Sequence, residues 1–329
     1  MMSFKPIPIE IMQLDKKKAF ELYIRIGDRF VLFAGYDIAF TEEHKARLLA
    51  SGLKRLYVKD TDEESLTLYT AKHMDKILSD PHVAPKTKAK IFYSSSTYTM
   101  EEVFKDPRTE TISEMKNTIN SMVKLLLEDQ DVMKNLLVLT EHDYYTYTHS
   151  INVGIFATAL AIKLFEKDMG EHNMYNLGAG FFLHDIGKSK IPSEILNKPG
   201  ALTEKEWDIM KKHPAWGYEI LMETGDMTEE AAHIVLEHHE RTDGSGYPSG
   251  KAGDEIHIYA RICAIADAYD ALTTKRCYKS AKRPFDALKV MQKEMAQEFD
   301  PEFFATFVML FAPPEYSATH MPGSSASLV

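Results

Sequence analysis

The pattern of apolar and polar positions changes character at about residue 80. Residues 20–26 (FELYIRI) and 29–33 (RFVLF) are short runs rich in β-branched and aromatic residues. Gly27-Asp28 between them supplies turn chemistry, so the pattern predicts a hairpin. Thr41 reads as the N-cap of a helix running to about Ala50, with Glu42 and Glu43 near its positive end. Gly52 closes that helix, Leu56-Tyr57-Val58 reads as a returning strand, and a further helix is predicted from Thr61 to about Leu78. Residues 1–80 are therefore expected to form a small α/β module with no catalytic constellation of its own.

Pro81, Pro85 and their polar neighbours mark a linker, taken to cover residues 81–106. Beyond it, Ile112, Met115, Ile119, Met122 and Leu126 recur at three- and four-residue spacing, which predicts an amphipathic helix leading into a second domain. Further helices are predicted at about 143–167, 174–184, 204–212, 215–223, 228–239, 257–273 and 284–298. Strand signals are sparse after residue 110, so residues 107–312 read as an all-α bundle and the chain as α+β overall. Residues 313–329, rich in Pro, Ser and Gly, read as a mobile tail.

Composition narrows the function classes. The chain of 329 residues suggests about two domains. Its net charge of −10 argues against broad binding to nucleic-acid backbones or anionic membranes, while leaving room for a local basic pocket. Cys263 and Cys277 form no CxxC pair, so neither a disulfide framework nor a thiolate zinc site is expected. The first residues lack the pattern of a secretory signal and no run reaches membrane-spanning length, which makes the cytoplasm the expected compartment.

The chemistry concentrates between His184 and Lys279. His184-Asp185 closes an apolar run, Gly187 permits a turn, and Lys188 is thrown back toward the same cleft. His213 precedes Pro214, and His238-His239 sits at a helix end before a loop containing Gly244, Gly246 and Pro248. Asp267 lies among small and apolar residues, where a carboxylate is costly unless paired or metal-bound. Asp270 reads as a solvent-facing carboxylate, and His149, taken alone, as a core histidine. Imidazoles and carboxylates from separate helices suit iron, manganese, zinc or nickel. Two such ions lower the pKa of a shared water and clamp a phosphodiester, so the cluster points to phosphate-ester hydrolysis.

The strings HDIGK (184–188), IPSEILNKPGALT (191–203), HP (213–214), HHERTDGSGYP (238–248) and ARICAIADAYDALTTKRCYK (260–279) resemble the HD-GYP family, a subgroup of the HD-domain phosphohydrolases. The resemblance covers roughly residues 140–310. It implies an α-helical HD domain that hydrolyses cyclic di-GMP to pGpG, or on to GMP, through a hydroxide bridging two metals. By the same resemblance His149, His184, Asp185, His213, His238, His239 and Asp267 are the metal ligands, with Asp185 bridging. Asp185 and Lys188 are the expected catalytic pair. Lys188, Arg276 and Lys279 would face the substrate phosphates, and Tyr247 would lie near the substrate. The expected cofactor is two divalent ions per chain, iron first, with manganese, zinc or nickel as alternatives.

Several positions depart from the family pattern. Tyr145 stands where some members carry a third-metal glutamate, so two metals are expected and hydrolysis onward to GMP should be poor. Arg276-Cys277-Tyr278-Lys279 lacks a usual proline, Thr242 replaces a bulkier residue, and His257 replaces a frequent proline. The competing readings are a silent HD-GYP protein acting as a cyclic di-GMP receptor or scaffold, and a different HD phosphohydrolase. Candidate partners are diguanylate cyclase (GGDEF) domains, through the GYP loop, and a second copy of the chain.

Overall fold

The computed structural model describes residues 3–139, 146–225, 227–275 and 281–312. The chain divides into two compact units, Met1–Thr140 and Glu141–Val329.

The first unit holds strands β1 (Phe4–Pro8), β2 (Leu22–Ile26), β3 (Arg29–Ala34) and β4 (Arg55–Lys59) and helices α1 (Glu42–Ala50), α2 (Glu63–Lys72), α3 (Met74–Ser79), α4 (Pro85–Lys105), α5 (Thr109–Glu128) and α6 (Gln130–Leu139). The strands form one antiparallel sheet in the order β1-β4-β2-β3. The predicted hairpin is β2–β3, turning at Gly27, whose φ of +58° lies in the left-handed region that glycine enters without strain. Thr41 caps α1 by accepting the His44 amide, while His44 Nδ1 accepts the Thr41 amide. Strand β1 escaped the sequence reading because Pro6 and Pro8 lower its strand signal. Prolines are tolerated there because β1 is an edge strand. The helix predicted from Thr61 to Leu78 is broken at His73 into α2 and α3.

The expected linker over 81–106 is largely helix. Pro85 occupies the first position of α4, where its missing N–H is no loss. The helix then buries Ala89, Phe92, Met100 and Val103, and Ile91 joins the core that also contains Ile9, Phe20, Leu56 and Val58. The stripe of Ile112, Met115, Ile119, Met122 and Leu126 is buried as predicted, but α5 packs on α3, α4 and α6 within the first unit. The boundary between units therefore falls at residue 140, rather than at 80 or 107.

The second unit is built from α7 (Thr146–Leu164), α8 (Met174–Phe182), α9 (Ser193–Leu196), α10 (Glu204–Met210), α11 (His213–Glu223), α12 (Glu229–Glu237), α13 (Ile258–Thr273), α14 (Pro284–Glu294) and α15 (Pro301–Met309). Helix α7 is buried on every side from Thr148 to Ala161, as befits a central helix, and packs against α8, α13 and α15. Gly154 sets the α7–α8 approach, since a Cβ there would lie 2.4 Å from the Phe182 ring. Helix α15, absent from the sequence reading, starts at Pro301 behind an Asp300 cap and buries Phe303 and Phe307. Tyr145 and residues 313–329 lie outside the described residues. No described helix is long and apolar enough to cross a membrane.

Candidate metal centre

Four histidines of the cluster are presented where a helix begins or ends. His184 and Asp185 follow α8, His213 opens α11, and His238 and His239 follow α12. Helix α12 ends at Glu237, with His238 as its C-cap and His239 in the turn that follows. Their ring centroids lie 4.1 Å apart. His149 projects from α7 and Asp267 from α13.

The second nitrogen of four imidazoles is committed. His184 Nδ1 donates to the Phe181 carbonyl at 2.9 Å, His213 Nδ1 to Met210 at 2.8 Å, and His238 Nδ1 to Val235 at 2.8 Å. His149 Nδ1 donates to Asp270 Oδ2 at 2.6 Å. These bonds assign the tautomer and turn Nε2 of each of the four rings toward the cluster. These nitrogens converge. His213 Nε2 and His238 Nε2 are 3.3 Å apart, an arrangement of two acceptors that calls for a cation between them. Around Asp185, His213 Nε2 lies 3.2 Å and His238 Nε2 3.7 Å from Oδ1, while His149 Nε2 and His184 Nε2 each lie 3.6 Å from Oδ2. Asp267 Oδ1 lies 3.1 Å from His149 Nε2, and Oδ2 3.5 Å from His239 Nδ1.

Among the described residues, two groups of donors are close enough to hold a metal ion: Asp185, His213, His238 and His239 in one, and His149, His184 and Asp185 in the other. Asp185 belongs to both. His184 Nε2 and Asp185 Oδ1 are fully buried without a hydrogen bond, which in a protein interior marks a missing partner. The donor set and these orphaned atoms fit divalent ions. Electrostatics favours the ligating forms. Burial pushes the His184 imidazole down to about 3 and also lowers His213 and His239. Burial opposes ionisation of Asp185, but Lys188 and the surrounding imidazoles outweigh it and hold the carboxyl well below its usual range. Asp267 is depressed likewise, against its own burial, by His149 and His239.

Asp270 corrects the sequence reading. It is 1% exposed, not solvent-facing, and accepts from His149 Nδ1, from Asn152 Nδ2 at 2.8 Å and from Thr274 Oγ1 at 3.1 Å. Its place three residues after Asp267, on the same helical face, was the available signal. Because a carboxylate of this type orients a ligating imidazole and raises its basicity, Asp270→Asn is expected to weaken metal binding about ten- to a hundredfold. Metal titration against a competing chelator checks this.

The wall of the site is formed by Lys188 and by the loop after His239. Lys188 Nζ lies 2.5 Å from Asp185 Oδ2, as expected of a residue returned to the cleft by Gly187. Tyr247 stacks on His239 with centroids 4.7 Å apart and 28° between planes. Three features hold it there. Its amide donates to the His239 carbonyl at 3.2 Å. Gly246 fits only without a Cβ, which would come within 2.5 Å of Glu240 Cα and the Arg241 nitrogen. Buried Glu240 accepts the Ser249 and Lys251 amides at 2.7 and 3.0 Å, clamping the loop beyond the tyrosine. Glu237, also buried, ties the end of α12 to the His257 amide at the start of α13 and to Lys251 Nζ. Neither glutamate was singled out in the sequence. Arg276 and Lys279 lie outside the described residues.

A family profile described as "HD domain" matches residues 131–303, just over half of the chain. The chain is 34% identical over 226 residues to the cyclic di-GMP phosphodiesterase PA4108 of Pseudomonas aeruginosa, covering 67% of this chain and 53% of that protein. It is 39% identical over 189 residues to the 3'3'-cGAMP-specific phosphodiesterase 2 of Vibrio cholerae, covering 56% of this chain and 35% of that protein. It thus spans about half the length of the first relative and a third of the second. The solved structure of Bd1817, described as a HDG"Y"P protein from Bdellovibrio bacteriovorus, shares its fold, with a TM-score of 0.63 at 22% identity over 93% of this chain and 98% of that one. With the HD pair, the histidine cluster and the GYP loop gathered at one centre, the chain belongs to the HD-domain family, in its HD-GYP branch.

Proposed function

We propose that this protein is a metal-dependent phosphodiesterase that opens cyclic di-GMP to linear pGpG at a centre holding two divalent ions. The carrying observation is that two groups of potential ligands share one carboxylate, Asp185. His149, His184, Asp185, His213, His238, His239 and Asp267 would hold the ions, iron first and manganese as the alternative. Bound there, the ions would supply an activated water and offset charge on the phosphate.

The chain's own residues do the rest. Lys188 Nζ sits against Asp185 at the rim of the cluster, where it places a positive charge beside the reacting phosphate and holds a proton for the departing 3′ oxygen. Tyr247 borders the same space. Arg276 and Lys279 are assigned to the second phosphate on the sequence resemblance. Relatives named for cyclic di-GMP and for cGAMP both support a cyclic dinucleotide. Cyclic di-GMP is preferred because PA4108 matches the larger share of this chain. The exposed stretch of the loop around Asp243, Ser245 and Pro248 is the surface offered to a GGDEF domain. Cytoplasmic placement follows from that substrate.

The test is incubation of cyclic di-GMP with metal-quantified protein, loaded anaerobically with iron or manganese, and separation of the products. We expect pGpG with little GMP. Binding without product at two metals per chain would replace the enzyme reading with that of a receptor.

A further inference from the structure

We propose that Trp207 and Tyr247 form an aromatic corner that takes a nucleobase of the substrate at the mouth of the metal centre. The proposal rests on the phosphodiesterase reading only for the identity of the nucleotide.

Trp207 is 46% exposed on α10, a helix that buries none of its side chains, so its indole is not used to build the core. Its position is nonetheless fixed. Thr203 and Glu206 close a capping box at the start of α10, and Lys198 Nζ holds the Glu206 carboxylate at 2.6 Å. At the other end, the Met210 carbonyl accepts from His213 Nδ1, so the helix that carries the indole also orients one of the candidate metal ligands.

The indole lies 6.2 Å from the Tyr247 ring with 73° between planes. Two rings at that angle make a corner in which a flat base stacks on one face and presents its edge to the other. Tyr247 is itself backed by His239 and, at 6.4 Å, by His213. One wall of the corner therefore rests on the metal ligands, so a base held there leaves its phosphate within reach of Asp185 and Lys188. Stacking of this kind tolerates any base and strengthens with the area of the ring system, which favours purines.

The protein has two tryptophans, Trp207 and Trp216. In a Trp216→Phe background of the metal-loaded protein, Trp207 emission is followed while cyclic di-GMP, GMP and ribose 5-phosphate are titrated. The nucleotides are expected to quench it and the baseless sugar phosphate is not. In turnover, Trp207→Ala is expected to raise KM for cyclic di-GMP about tenfold with kcat changed less than twofold, and Trp207→Phe to recover most of the loss. Unchanged KM in Trp207→Ala, with metal content intact, overturns the corner and leaves the phosphodiesterase reading standing. Quenching by GMP but not ribose 5-phosphate, in a protein that hydrolyses no cyclic dinucleotide, supports the corner and overturns the substrate. No quenching by any nucleotide overturns the corner.

Discussion

Asp185→Ala is expected to remove metal from both ligand groups at once and to abolish hydrolysis. Each of the other cluster residues appears in at most one group, whereas Asp185 contributes an oxygen to both. Removing it leaves His213 Nε2 and His238 Nε2 with their lone pairs facing each other and nothing between to neutralise them. It also removes the 2.5 Å contact that Lys188 makes with the carboxylate at the rim. Metal ions contribute several kcal/mol to stabilising a phosphoryl transition state, which corresponds to a loss on the order of a thousandfold or more in rate. Metal analysis of the purified variant and product chromatography check the two halves separately. Two ions per chain in Asp185→Ala would show that the carboxylate does not bridge.

Gly187→Ala should be nearly as damaging without touching a ligand. A Cβ at Gly187 would lie 1.9 Å from the His213 carbonyl oxygen and 2.5 Å from the Gly217 nitrogen. Both contacts are backbone, so no side-chain rotation relieves them, and α11 must move away from the turn after Asp185. Overpacking against an immovable neighbour costs about 3 kcal/mol, or roughly 6–12 °C in Tm for a unit of this size. The displacement also draws His213 away from Asp185 Oδ1. We therefore expect a lower melting temperature together with reduced metal content. Gly170→Ala, where nothing lies within 4 Å of the added methyl, is the control expected to change neither. Equal melting temperatures for the two variants would rule out the close approach at Gly187.

Local rules recovered whatever depends on a few neighbouring residues. The β2–β3 hairpin turns at Gly27-Asp28, Thr41 caps α1, and α12 ends at the paired histidines, as each short stretch dictates. The same rules misread Pro85. Among polar neighbours it carries the mark of a linker, yet it opens α4, because the first helical position needs no N–H and the burial of α4 against α2, α5 and α6 rewards the helix. The amphipathic stripe of α5 was visible, but not the partner it packs on, since a stripe records that a face is buried and not against what.

The seven cluster residues are legible in the sequence through its resemblance to the HD-GYP family, since His149 taken alone reads as a core histidine. What the sequence determined by itself was this inventory of donors, the helix ends that present them, and the glycines that the HD turn and the GYP loop demand. The tertiary structure alone decided how the donors are paired. His149 and Asp270 are 121 positions apart and meet only because α7 packs on α13, which turns an apparently solvent-facing carboxylate into the group that orients a candidate ligand. Glu240 and Ser249 meet across a folded loop, and Trp207 meets Tyr247 from another helix. Such contacts depend on the relative placement of distant segments. That placement is set by the burial of whole helical faces, which no local pattern contains.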